Sequence, residues 1–176
     1  MYPLLLCMTW RIFLVITHII GTVLGAGGAT FLEIFYLKAL KDGVIDPYES
    51  STLKTLIYVL RVGMAIVVLS GFGFFLQLRL TGRAELLYEP RLWAKMIIVV
   101  ILVLGVVAWQ AKRVPKNMAG WFGGAISLTS WYAALILGAW RGLEASLLEI
   151  MTVYVAVIIV VAIVFAGIRK LLKIKT

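Results

Sequence analysis

Four ionisable side chains interrupt the apolar runs of this chain where they could do chemistry: His18, Glu33, Arg61 and Lys95. His18 is the only histidine, and a neutral imidazole can bind a metal ion or accept a proton. On a helix turning about 100° per residue, His18, Gly21, Thr22, Gly25 and Gly28 gather on one side, and Glu33 lies within roughly 60° of His18. Glycines on that face let another helix, or a flat ligand, approach the backbone. His18 and Glu33 then need partners, because an unpaired ionisable group in hydrocarbon costs several kcal/mol. Glu33 and Arg61 are symmetric about Pro47, which predicts that they face each other across two antiparallel helices, as an ion pair that holds the register or as a gating or proton-carrying pair. Lys95, one turn inside its span, either snorkels to the headgroups or points inward to His18. If inward, it is a second ligand beside His18 or a cation for an acidic group. Hydrogen bonding to a neighbouring helix is the plainer fate of His18.

The elements that must position these residues are membrane helices. The 176 residues are 63% hydrophobic and 14% charged, with mean hydropathy +1.06, which excludes an ordinary soluble domain. The net charge of +9 does not indicate nucleic acid, because the basic residues stand at the ends of apolar runs. One cysteine, Cys7, and one histidine cannot form a zinc or copper site within one chain. No serine–histidine–acid motif supports nucleophilic catalysis. The Leu4–Cys7 start lacks a basic n-region, so no cleaved signal is expected.

The expected fold is all-α, a polytopic membrane protein of five helices in one domain, over approximately 10–40, 51–80, 91–112, 118–141 and 145–170. Between the first two, Gly43, Ile45 and Glu49 fit the end of a calcium loop, but Lys38 and Leu40 stand where acidic ligands belong. A helix start fits better, with Asp46 as cap, Pro47 at the first position and Glu49 at the third. Leu86, Leu87 and Tyr88 suggest an amphipathic turn before the third span. Trp121 and Trp140 sit near the ends of the fourth, as interface anchors. That span also has a small-residue face of Gly120, Gly123, Gly124, Ser127 and Ser130.

Five spans put the termini on opposite sides. Lys38, Lys41, Lys54, Lys112, Arg113, Lys116, Arg169, Lys170, Lys173 and Lys175 share one side; Arg11, Arg79, Arg83, Arg91, Lys95 and Arg141 share the other. This bias predicts a cell-membrane protein with an external N-terminus and a cytoplasmic C-terminus. His18, Gln77, Lys95 and Glu149 would then form a polar layer in the outer half, and Glu33, Arg61 and Gln110 one in the inner half.

Thr17-His18-Ile19-Ile20 before a glycine-rich run, and Arg91-Leu-Trp-Ala-Lys95-Met-Ile-Ile, resemble the first and third helices of membrane proteins of the HemJ type and the broader CopD-like group. HemJ is a protoporphyrinogen oxidase of the haem pathway built as a four-helix bundle. The resemblance implies a haem b site at His18, with iron as its metal, a functional role for Lys95, and an oxidoreductase if the chain is an enzyme at all. It also implies that the first and third helices pack together; the small residues themselves, Gly21 and Gly25, would keep a recess open beside the imidazole. The further histidines and the proline–arginine pair of that family are missing, and a fifth span is added. The expected function is therefore a multi-pass membrane protein handling haem, a related tetrapyrrole or electrons. The alternatives are a non-catalytic subunit of a membrane complex or a small proton or solute transporter. Beyond the lipid bilayer, a homo-oligomer or a membrane-complex partner is expected.

Overall fold

The computed structural model describes residues 2–39, 45–110, 122–140 and 142–171. In hydrocarbon each backbone N–H and C=O must find its partner within the spanning segment, so long apolar runs become helices. Among the described residues five long helices form: α1 (Tyr2–Ala39), α2 (Pro47–Leu80), α3 (Pro90–Gln110), α4 (Phe122–Ala139) and α5 (Leu147–Leu171). All five are long and apolar enough to cross a membrane, and no strand occurs among the described residues. The chain is the all-α, five-helix membrane bundle that the sequence predicts.

Residues just outside the apolar windows decide where helices start. α2 begins at Pro47, earlier than the apolar run, because Asp46 and Glu49 build a capping box. The Asp46 carboxylate accepts from the Glu49 N–H at 2.7 Å, and the Glu49 carboxylate accepts from the Asp46 N–H at 3.2 Å. These bonds occupy N–H groups the first helical turn cannot pair. Gly43, at the centre of the calcium-loop alternative, lies outside the described residues. α5 starts with the same device: the Ser146 N–H donates to Glu149 at 2.8 Å and the Glu149 N–H donates to Ser146 Oγ at 3.3 Å. Glu149 is thus an exposed capping residue and not a member of an intramembrane polar layer. The predicted amphipathic turn is the short 3-10 helix Ala84–Tyr88, entered through Gly82 at φ 71°. It buries Leu87 and leaves Leu86 and Tyr88 exposed.

α1 and α2 form the most intimate antiparallel pair, and α4 packs against α1, α3 and α5. α3 packs mainly on α4 and α5, so its contact with α1 is slighter than the pairing that the HemJ resemblance implies. The fourth helix takes the place beside α1 because Gly25 and Gly124 give it close contact there. One core cluster joins α1 and α2 to Leu102 of α3 and Trp131 of α4. A second joins α3, α4 and α5 through Ala94, Ile98, Leu137, Ile150 and Tyr154. Outside these, α5 exposes Val153, Ile159, Val160 and Ile163. Such an apolar exterior suits lipid contact and would aggregate in water.

Candidate functional site

His18 faces α2, half-buried, with Nδ1 2.8 Å from Ser70 Oγ and its ring edge-on to Phe74. Ser70 Oγ also lies 2.7 Å from the Ile66 carbonyl oxygen. A hydroxyl has one proton to donate. Both contacts are satisfied when Ser70 donates to Ile66 and His18 Nδ1–H donates to Ser70, which assigns the tautomer from the network. Nε2 then keeps its lone pair, and the ring also lies within hydrogen-bonding range of the Val67 backbone. Thr22 donates to the His18 carbonyl oxygen at 2.8 Å. The ammonium of half-buried Lys95 lies within electrostatic range of the imidazole, although α3 packs mainly on α4 and α5.

The glycines serve helix packing. A Cβ on Gly21 would stand 2.8 Å from the Ile66 side chain and 3.0 Å from the Gly63 carbonyl oxygen. A Cβ on Gly25 would overlap the Trp131 indole, which is 2% exposed. The expected recess beside His18 is therefore filled, by α2 at Gly21 and by the indole at Gly25. A porphyrin plane does not fit on this glycine face. The sequence pattern shows that the face admits a flat group but not that the group is the chain's own tryptophan.

Glu33 and Arg61 do not meet. The contacts of His18 with Ser70, Gly63 with Gly25 and Gly73 with Leu14 set the α1–α2 register. This register places Arg61 level with Gly27 and Glu33 level with Thr55, an axial offset of about 9 Å. Symmetry about Pro47 fails because Asp46 and Pro47 already belong to the start of α2, not to the middle of the turn. Arg61 is exposed on the side of α2 away from α1, whereas Glu33 is 9% exposed. The Glu33 carboxylate lies where a Cβ on Gly124 of α4 would stand. The cation in electrostatic range of Glu33 is Arg169 of α5, whose guanidinium sits 5.6 Å from the Tyr36 ring centroid. Among the described residues the one ion pair is Arg91–Glu89, at 2.7 Å. A double-mutant cycle between Glu33 and Arg61 should give a coupling below about 0.5 kcal/mol, as for independent sites; thermal unfolding of the two single variants and the double variant measures it. A coupling of several kcal/mol would restore the ion pair.

Other expected residues scatter. Gln77 lines a cavity of about 290 Å³ with Trp10, Gly73, Leu76, Leu80 and Thr81 near the N-terminal end of α1. Gln110 and Trp121 have no described side chain. Arg91 donates to the Trp140 carbonyl oxygen at 2.8 Å, tying the start of α3 to the end of α4. Three polar residues of the interior escape sequence reading, Ser70, Thr129 and Tyr154, and Ser130 is legible there only as a packing residue. Ser130 Oγ and Tyr154 Oη are 2.7 Å apart, while the buried Thr129 Oγ1 and Trp131 Nε1 have no hydrogen-bond partner. Trp131 could have been noticed as a mid-span tryptophan, away from the interfaces where indoles usually sit. Ser70 becomes visible only once the register is known.

Comparison of the chain with known protein families, with curated proteins and with solved structures finds no match.

Proposed function

We propose that the protein moves protons, or a solute whose passage is tied to them, across the membrane through the α1–α2–α4 interface. His18 and Glu33 would be the exchange groups, His18 toward the outer end and Glu33 at the cytoplasmic mouth. The observation that carries this reading is that both sit at helix interfaces of the bundle on one helix and neither makes an ion pair with a described residue, Arg169 standing only within electrostatic range of Glu33. They are fifteen residues apart, about 22 Å along α1. An intramembrane ionisable residue held in this way marks an ion or proton route by default. Between their levels on α4 lie Thr129 Oγ1 and Trp131 Nε1, buried and unpartnered. Buried polar groups are normally hydrogen-bonded, and water passing between the two ionisable groups would bond to both. Nδ1 of His18 is held by Ser70, so Nε2 is the atom that takes up and releases the proton. The indole against Gly25 closes the route in this conformation.

The test is proton flux into liposomes containing purified protein, followed with an enclosed pH-sensitive dye. The unaltered chain should acidify the lumen under an inward gradient. His18→Asn and Glu33→Gln should each lower the rate at least about a hundredfold, the lower end of what a positioned proton-transfer group contributes. Flux equal to that of empty liposomes would sink the proposal. The free Nε2 beside the Lys95 charge also favours a second reading, ligation of a tetrapyrrole iron. Its porphyrin would have to lie away from the glycine face. A Soret band in the purified protein that disappears in His18→Ala supports this second reading.

A further inference from the structure

The face of α2 turned away from α1 carries a stripe that neither the fold nor the proposed route uses. Lys54, Tyr58, Arg61, Ala65, Val68 and Phe72 fall within about 40° of one line along the helix, and all six are exposed. Lys54, Tyr58 and Arg61 make no hydrogen bond, ion pair or ring contact with a described residue. Arg61 nevertheless belongs to a membrane-crossing segment, Pro47–Leu80. The nineteen helical steps from Arg61 to Leu80 rise about 28 Å, close to the thickness of the hydrocarbon layer. The guanidinium is therefore within its own side-chain reach of the headgroups. Lys54 lies roughly 10 Å farther toward the same membrane surface. Toward the bilayer centre the stripe becomes wholly apolar. A phenol hydroxyl and two cations at headgroup level, continued by an apolar strip about 10 Å long, match the polarity of one amphiphile.

We propose that this stripe is a binding site for an anionic phospholipid. Its phosphate would lie between Arg61 and Lys54, with Tyr58 donating a hydrogen bond and an acyl chain along Ala65, Val68 and Phe72. Arginine and lysine at the edge of a bilayer recognise anionic headgroups in this way. A second copy of the chain fits poorly. A two-fold contact through α2 would set Arg61 against Arg61, and the carboxylate nearest this depth, Glu33, is buried in its own bundle.

The experiment is native mass spectrometry of the full-length protein in detergent, titrated separately with phosphatidylglycerol and phosphatidylcholine. The expected result is retention of phosphatidylglycerol at concentrations where phosphatidylcholine is lost. Arg61→Gln and Lys54→Gln should each weaken that retention about five-fold, the typical contribution of one basic residue at an anionic surface. Arg79→Gln, whose guanidinium lies over Phe75 near the other end of α2, should leave it unchanged. Equal retention of both lipids by the unaltered chain overturns the proposal, and that comparison does not depend on how any variant folds. A dimer that holds no lipid and separates in Arg61→Gln overturns it in favour of a second copy.

Discussion

Gly63→Leu is expected to separate α1 from α2 and to cost about 3 kcal/mol or more, the upper end for overpacking. Even a Cβ at this position would stand 2.6 Å from the Gly25 amide nitrogen and 2.9 Å from the Gly21 carbonyl oxygen. These are backbone atoms of a helix held by its own hydrogen bonds, so no rotamer change can relieve the contact. Helix association in lipid rests on close packing rather than on the hydrophobic effect, and backbone-to-backbone approach is what a side chain here removes. Gly71→Leu on the same helix is the control, since its Cβ would meet nothing within 4 Å. Thermal unfolding in detergent measures both. Equal stability of the two variants would show that Gly63 does not set the α1–α2 distance.

Trp131→Ala should be comparably severe, about 3–5 kcal/mol by analogy with other large-to-small aromatic replacements in packed cores. The indole fills the space above Gly25 and belongs to the cluster of Ala26, Ala29, Leu60, Met64, Val67 and Leu102. Removing it leaves a cavity on which α1, α2 and α4 converge. Gly25→Leu alone should also destabilise, by driving a side chain into the ring. Combined with Trp131→Ala it should recover part of the loss, because the new side chain occupies the vacated volume. This non-additivity, expected for residues in contact, is read from unfolding of the two singles and the double. Strict additivity would mean that the ring and the glycine do not share the space. If the route between His18 and Glu33 is closed by this ring, the Trp131→Ala single should also raise proton flux while the double restores the barrier.

Composition and local spacing determined much of this protein. Apolar runs about the thickness of a bilayer, bounded by Arg, Lys and Trp, determine five helices, because unpaired backbone is not tolerated in hydrocarbon. Asp46, Pro47 and Glu49 determine the start of α2 through bonds within four residues, and Ser146 with Glu149 does the same for α5. The glycine spacing of α1 likewise marked a face for close approach. What approaches was a tertiary matter. Gly21 receives α2, and Gly25 receives a tryptophan more than a hundred residues away. A small-residue face is equally open to a helix, an indole or a porphyrin, so spacing alone could not choose among them. The partner of Glu33 was decided in the same way. A shift of the antiparallel register by a few residues moves a side chain by several ångströms along the axis and onto another side of the wheel. That register is set by Gly63, Ser70 and Gly73 against α1, contacts that local spacing does not encode. His18 acquired Ser70, Glu33 acquired Gly124 and Arg169, and Arg61 was left facing lipid because backbone contacts fixed the helices first and the polar side chains took what those contacts left beside them.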